Sequence, residues 1–254
     1  MTESFREVLV LLDCISVSNM RQSDALTIEK YVPSRTLMYR AAMGVFLAVE
    51  RWQGRITIAV GSGNNGGDGY ALAYILKRRG IDSRVVTLSD KCSDDGAFFA
   101  EKALALGVKV SPYTPGCFTG SDIIVDCLLG TGFQGAVRQS YADAIREING
   151  SGACVVSVDI NSGMNGDTGL AAIAVRSDLT VTIGYVKNGL VAPEARPWIG
   201  RLVCADIGIV LDREENKLLA RSEWNDRYAH RENCFLAPDY LDVRPIDAAG
   251  FDLA

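Results

Sequence analysis

The chain is poor in histidine, having one in its 254 residues, His230. A zinc site built from several histidines is therefore excluded. The seven cysteines are scattered without a Cys-x-x-Cys pair, and several lie inside apolar runs, where a thiol behaves as a small hydrophobic group. This pattern indicates a reducing compartment rather than a fold held together by disulfides.

The chain also lacks a basic run and a long apolar segment. With a formal net charge of −5, it is not expected to bind nucleic acid, and an anionic ligand would be held by loop amides rather than by a positive surface. The apolar run Val8–Leu12 is too short to cross a membrane and lacks a cleavage-like flank. We therefore expect a soluble, cytoplasmic protein without a membrane partner.

From residue 55 onward, apolar runs rich in β-branched residues alternate with helical patterns. The strand-like runs are Ile56–Val60, Arg84–Leu88, Ile123–Leu129, Cys154–Ile160, Leu179–Gly184 and Leu202–Ile207. The helical patterns are Asp68–Arg79, Asp94–Leu106 and Ser140–Asn149, preceded by two N-terminal helices at Ser18–Val32 and Ser34–Trp52. Because the strands are apolar on both faces, the sequence predicts an α/β fold with a mostly parallel sheet covered by helices.

The alternation decays near residue 210, and we place a boundary there. Residues 1–211 are predicted to form one α/β domain, which suits the length of the chain. Residues 212–254 are predicted to be an irregular C-terminal extension, in which a short charged helix spans Arg213–Ala220.

Three polar, glycine-rich loops follow the ends of predicted strands. They are Gly61–Gly69, Gly130–Gly135 and Asp159–Gly163. In an open parallel sheet, ligands bind outside the carboxyl ends of the strands. Because all three loops emerge at that edge, we expect them to line one crevice although they are far apart in sequence.

The first of these loops matches the Gly-x-Gly-x-x-Gly pattern of dinucleotide-binding proteins at residues 61–66, and Asp90 lies at a suitable distance beyond it. A single match of this kind is a weak indication. The usual fingerprint packs small apolar residues in the turn, whereas this turn holds Asn64, Asn65 and Asp68. The composition favours a nucleotide-like ligand contacted by side chains and disfavours a nicotinamide-dependent oxidoreductase.

Asp126 interrupts an apolar run, where an unpaired buried carboxylate is costly. In one interpretation it is a strand-end carboxylate that accepts hydrogen bonds from loop amides. In the other it is a ligand of a hard cation, with the side-chain oxygens of Asn65 and Ser162 as further donors. These residues alone do not decide between the two.

Three other charged residues also allow a structural and a functional interpretation. Asp159 either caps the turn that begins at Ser162 or serves as a general acid or base. Asp68 suits the dipole at the start of a helix as well as it suits a ligand. For Lys187, which follows a strand end, loop composition favours a solvated lysine.

Taken together, three motifs resemble the NAD(P)H-hydrate epimerases, the family of YjeF N-terminal domains. They are Gly63–Gly69, Asp126–Gly132 and Asp159–Gly163, and the similarity runs from about Ile15 to about Ile209. The resemblance implies a three-layer Rossmann-like fold with two additional N-terminal helices, and a homodimer. It also implies interconversion of the R and S forms of hydrated NADH and NADPH, damaged cofactors that carry water on the nicotinamide ring.

The resemblance further implies roles for individual residues. Those implied to bind the hydrate are Asn64, Asn65, Gly66, Gly67, Asp68, Gly130, Thr131, Gly132, Phe133, Gln134, Gly135, Ala136, Tyr141 and Asp159. Asp159 is implied to be the catalytic group that transfers a proton. A potassium ion is implied as cofactor, held by Asn65, Asp126 and Ser162, which favours the cation interpretation of Asp126.

The sequence departs from the family where it has Asn161 and Asn188 in place of proline, and at Tyr39–Ala42, where the family has a Glu-Arg-Ala-Gly run. Since proline fixes φ, the first two changes are expected to alter loop rigidity beside the site. They leave open an alternative, a non-catalytic nucleotide-binding or scaffold protein of the same fold. Retention of the polar set in the three loops favours the enzyme.

Overall fold

The structure is a computed structural model that describes residues 11–222, 224 and 231–253. His230 and most of the apolar run Val8–Leu12 lie outside the described residues. Among the helices that are described, none combines the length and apolar character that crossing a membrane requires.

The described residues form helices and strands in a largely alternating order. The helices are α1 (Val17–Lys30), α2 (Ser34–Ala48), α3 (Asn64–Arg78), α4 (Asp94–Ala105), α5 (Gln139–Gly150) and α6 (Asn188–Val191). The strands are β1 (Leu11–Ile15), β2 (Ile56–Val60), β3 (Ser83–Thr87), β4 (Lys109–Pro112), β5 (Ile123–Cys127), β6 (Cys154–Val158), β7 (Ser177–Ile183), β8 (Val186–Lys187), β9 (Ile199–Asp206), β10 (Asn216–Leu219), β11 (Cys234–Leu236) and β12 (Ile246–Asp247). The six strands and five helices predicted before residue 211 are all present; β2 has the predicted ends, and each of the others is shifted at one end or both.

The main sheet has eight strands in the order β12-β9-β7-β6-β5-β2-β3-β4, and every neighbouring pair is parallel. From β2 the chain builds outward through β3 and β4, then returns to β5 on the other side of β2 and builds the opposite way. The strand order therefore reverses between β2 and β5. A crevice at the carboxyl ends of such strands is the usual ligand site of this architecture.

Both faces of this sheet are covered by helices, which confirms the predicted α/β class. On one face Ile56, Ile58 and Val60 pack in a cluster with residues of α2, α3 and α4. On the other face Ala59 packs in a separate cluster with Ile145 and other residues of α5. Alternate residues of a strand point to opposite faces, so a strand buried on both sides is apolar throughout.

A second, four-stranded sheet has the order β11-β10-β1-β8. The predicted helix at Arg213–Ala220 is wrong, because Asn216–Leu219 is a strand that pairs antiparallel with β1. The described part of the extension also contributes β11 and β12, so it is not irregular throughout. The boundary at residue 211 stays a prediction.

Helix α3 begins at Asn64, earlier than the predicted start at Asp68. The amide-rich turn is thus the first turn of the helix itself. Close packing requires glycine in this turn, because a Cβ on Gly66 would lie 2.1 Å from the carbonyl oxygen of Gly61. A Cβ on Gly61 would in turn lie 2.0 Å from the carbonyl oxygen of Leu128 at the end of β5.

Candidate active site

A cavity of about 690 Å³ lies at the carboxyl ends of β2, β5 and β6. Each of the three loops contributes to its wall, as predicted, and helices α1 and α2 close the opposite side. The helix residues are Met20, Arg21, Asp24, Ile28, Ser34, Leu37, Met38 and Ala41. One wall is therefore polar and built from loops, while much of the facing wall is apolar.

Most of the residues that the resemblance assigned to the substrate line this cavity. They are Asn64, Asn65, Asp68, Gly130, Thr131, Gly132, Phe133, Gln134, Ala136, Tyr141 and Asp159. Gly66 and Gly67 lie behind the wall and are buried, while Gly135 lines a smaller neighbouring cavity. For Gly66 and Gly67 the structure gives a packing reason, since a Cβ on Gly67 would meet Met38 and the backbone of Gly96.

Asp126 is fully buried beneath the cavity and does not line it. Oδ1 accepts hydrogen bonds from Leu128 N (3.2 Å) and Ser162 Oγ (2.5 Å), and Oδ2 accepts from Ser157 Oγ (2.9 Å) and Ser162 N (3.0 Å). Burial raises the pKa of this carboxyl, and the hydrogen bonds oppose that rise. The structure thus has the amide-bonded geometry of the first interpretation, with no basic partner among the described residues.

Asn65 and Ser162 meet at Leu129, whose carbonyl oxygen accepts from Asn65 Nδ2 at 3.0 Å. Ser162 Oγ lies 3.2 Å from the same oxygen and accepts from Leu129 N at 2.8 Å, while its single hydrogen is donated to Asp126 Oδ1. Asn65 Oδ1 is buried and has no hydrogen-bond partner among the described residues. Buried polar atoms normally have a partner, so an orphaned oxygen indicates a missing one. Amide, hydroxyl and carbonyl oxygens above a buried carboxylate form a donor set that fits a hard cation.

Asp159 has φ 68°, and it is the one non-glycine residue with positive φ among those described. Its Oδ2 accepts a long hydrogen bond from Thr131 N at 3.4 Å, and its Oδ1 accepts one from Lys187 Nζ at 2.5 Å. The side chain therefore does not cap the turn at Ser162. A strained backbone of this kind costs about 1–3 kcal/mol and is concentrated at functional sites.

Lys187 is not the solvated loop lysine that its sequence context favoured. The residue is 1% exposed, and its Nζ donates to Asp159 Oδ1, to Thr182 Oγ1 at 3.1 Å and to Ile183 O at 2.6 Å. Its burial follows from β8, which pairs with β1 so that Lys187 lies opposite Ile15.

Helix α1 supplies two charged residues that the sequence analysis missed. Arg21 Nη2 donates to Thr131 O at 2.6 Å, and Asp24 lines the cavity. Asp24 stands between Met20 and Ile28 at four-residue spacing, and all three lie on the face that meets the cavity. An acid within an apolar helical stripe was the signal that could have found it.

Burial raises the pKa of Asp24, and it raises the pKa of Asp68 well above its usual value. The charge of Asp159 adds to both shifts, while Lys187 opposes them. The carboxyl group of Asp68 makes no hydrogen bond to any described residue, although it lines the cavity. Three of the carboxyl groups that line the cavity, those of Asp24, Asp68 and Asp159, are thus coupled to one buried ammonium, an arrangement suited to binding and moving a proton.

Comparison with known proteins adds to this geometry. The family model described as YjeF-related protein N-terminus matches residues 34–189. A protein named NAD(P)H-hydrate epimerase from Limosilactobacillus fermentum is 33% identical over 198 residues, 76% of this chain and 95% of that protein. One of the same name from Rhodopirellula baltica is 32% identical over 208 residues, 78% of this chain and 85% of that protein.

A solved structure supports the fold alone. The crystal structure of ynu0 from yeast has a TM-score of 0.69 with 20% sequence identity, covering 78% of this chain and 90% of that one. The residues matched by the family model include all three loops and Lys187.

Proposed function

The chain belongs to the family of YjeF-related protein N-terminal domains, and we propose that it is an epimerase that interconverts the R and S forms of hydrated NADH and NADPH. One observation carries the proposal. Loops after β2, β5 and β6 meet around a single cavity, with the carboxylate of Asp159 in its wall. The volume of about 690 Å³ lies in the usual range for cofactor-sized ligands, about 300–1,000 Å³.

The loop side of the cavity would bind the dinucleotide. Helix α3 has no side-chain cap at its N-terminus, which leaves first-turn amides for an anionic group. Arg21 lies against the loop of residues 130–136 through its hydrogen bond to Thr131 and adds positive charge there. The phosphates of the ligand would lie between these amides and the Arg21 guanidinium.

Epimerisation of the hydrate breaks and remakes a bond at the hydrated carbon. A carboxyl group serves either route. Ionised, it takes the hydroxyl proton as the ring opens and returns it as the ring closes; protonated, it gives a proton to the hydroxyl group that leaves as water and takes one back from the water that adds. Asp159 is the candidate because it lines the cavity and its Oδ2 has only a long contact to Thr131 N. Its backbone strain is consistent with a side chain held in place for chemistry.

A potassium ion is part of the proposal. The orphaned Oδ1 of Asn65, Ser162 Oγ and the carboxylate of Asp126 would hold it. The ion would supply the positive charge that the buried Asp126 carboxylate lacks. By its contact with Asn65 it would also fix the first loop over the end of β5.

The test starts from purified R hydrate and, separately, from purified S hydrate. We expect both to reach the same mixture of R and S, followed by chiral chromatography, and to do so faster with potassium than with lithium. If the hydrate binds but neither form changes, the chain is a binding or scaffold protein of the same fold. The homodimer and the cytoplasmic location stay predictions.

A further inference from the structure

Lys187 holds the Asp159 carboxylate from the side away from the cavity. Asp159 lines the cavity and Lys187 does not. The three hydrogen bonds that Nζ donates, to Asp159, Thr182 and Ile183, use the three N–H groups of an ammonium. A buried ammonium that is fully bonded and paired with a carboxylate has no proton donor left for a ligand.

We propose that Lys187 is a positioning residue that holds Oδ1 of Asp159 and leaves only its Oδ2 open to the cavity. The inference rests on the proposed function and assigns a residue that acts through Asp159. Oδ1 is occupied by the ammonium at 2.5 Å, whereas Thr131 N approaches Oδ2 only to 3.4 Å. A substrate hydroxyl therefore meets one defined oxygen of the carboxylate.

The charges around the pair explain why an ammonium is needed there. Asp24 of α1 and Asp68 of α3 both feel the charges of Asp159 and Lys187, and so does the buried thiol of Cys204 in β9. Three carboxyl groups without a cation would repel one another, and protons would bind to relieve that repulsion. The ammonium of Lys187 is the positive group that keeps one of them, Asp159, available as a base.

Two backbone features fix the geometry of the pair. Lys187 lies in β8, opposite Ile15 of β1, and β1 is itself paired with β10. Asp159 holds its left-handed backbone between that ion pair and the hydrogen bond from its own N–H to Val181 O at 2.8 Å. A strained residue persists only where its surroundings fix it from several directions.

The test uses the full chain with Lys187→Met, which removes the charge but keeps most of the length of the side chain. Without this cation the neighbouring carboxyl groups bind protons more readily, so activity that needs an ionised carboxylate appears only at higher pH. We expect the acidic limb of the kcat profile to move up by at least about one pH unit, as loss of a close opposite charge predicts. On the acidic side of the limb kcat therefore falls by about tenfold or more, while KM changes little.

Two further variants control this result. Lys217→Met removes a lysine of the same small sheet, which pairs with Asp13 away from the cavity, and should leave the acidic limb in place. Lys187→Gln keeps a hydrogen-bond donor without the charge, so it should shift the limb as Lys187→Met does. It serves as the test if the methionine variant does not fold. An acidic limb that stays in place in the Lys187 variants, whatever their kcat, would overturn the proposal.

A measurement without substrate separates this proposal from the proposed function. In protein labelled with ¹³C-aspartate, the Asp159 carboxyl signal is assigned by its loss in Asp159→Asn. We expect it to titrate at higher pH in Lys187→Gln than in the unchanged protein. If the protein is inactive but shows this shift, the epimerase function is contradicted and the role of Lys187 is retained. If the titration is the same in both proteins, the role of Lys187 is contradicted.

Discussion

The side-chain amide of Asn65 donates a hydrogen bond to the carbonyl oxygen of Leu129 at 3.0 Å, across 64 residues of sequence. The contact joins the loop after β2 to the loop after β5, at the point where the strand order reverses. It also orients Asn65 so that Oδ1 is left buried without a partner. One side chain thus links the two loops and supplies the donor on which the potassium proposal depends.

Replacing Asn65 with leucine removes Oδ1 at nearly the same volume. The unchanged protein should unfold at a higher temperature in potassium chloride than in lithium chloride at equal ionic strength, because a bound ion stabilises the folded state. The gain is about 2.7 kcal/mol at a hundredfold excess over Kd. Asn65→Leu should lose the difference, whereas Asn64→Ala, at an exposed neighbour, should keep it. If the unchanged protein unfolds at the same temperature in both salts, binding of a potassium ion is contradicted.

Gly66→Ala should destabilise the protein by at least about 1–3 kcal/mol, since its Cβ would lie 2.1 Å from the Gly61 carbonyl oxygen. The matched change is Gly132→Ala, where no atom lies within 4 Å of the added Cβ. There the free energy of unfolding should change by no more than about 0.5 kcal/mol. Urea unfolding of both variants measures the contrast, and equal effects would show that the turn is not packed as described.

Asn161→Ala should lower the free energy of unfolding by about 1–3 kcal/mol, because the substitution leaves buried polar groups unpaired. Its Oδ1 accepts from Thr180 Oγ1 at 2.7 Å, and its Nδ2 lies 3.0 Å from each of Val175 O, Ser177 Oγ and Trp198 O. The amide thus ties down a loop in which proline was expected. Asn161→Ala is compared by urea unfolding with Asn188→Ala, whose side-chain contacts are 3.3 Å long. A smaller effect at Asn161 contradicts this explanation.

Glu215 of the extension accepts from Ser16 N at 2.6 Å and Ser16 Oγ at 2.9 Å, at the start of α1. Burial raises the pKa of Glu215, but hydrogen bonds from Ser16, Asn19 and Arg213 together outweigh this effect and lower the pKa below 4.5. A carboxyl whose folded pKa is depressed contributes stability at higher pH and loses it as pH falls through that pKa.

Glu215→Gln should therefore be less stable than the unchanged protein at neutral pH, and the difference in stability between the two proteins should narrow below pH 4.5. Thermal unfolding of both proteins from neutral pH to below pH 4.5 measures this difference. A gap that stays constant with pH shows that the charge of Glu215 contributes nothing.

Local pattern was enough to predict the main sheet. Each of its six longer predicted strands is an apolar run buried on one or both faces, and the face of α5 that holds Tyr141, Ile145 and Ile148 repeats at helical spacing. The small sheet was missed because its order depends on pairing between distant segments. Nothing near Asn216 indicates that residues 216–219 pair with β1, so the charged residues before them suggested a helix.

The same difference between local pattern and pairing of distant segments applies to the site residues. Asn65 and Asp159 could be found because they sit in loops at strand ends, where the fold brings ligands. Lys187 could not, since its burial depends on the pairing of β8 with β1 and on the distant Asp159. Gly66 and Gly67 were assigned to the ligand, yet their surroundings are backbone and Met38. Sequence identified the loop but not which of its residues pack and which face the cavity.

The most direct test of the central claim replaces Asp159 with asparagine. Asparagine tolerates the left-handed backbone of this position and keeps the shape of the side chain, but it cannot serve as the proton acceptor. Chiral chromatography follows the conversion of purified R hydrate, with binding of the hydrate measured by calorimetry. We predict that binding persists while interconversion falls by at least about 100-fold. Interconversion at the rate of the unchanged protein would contradict the assignment of Asp159.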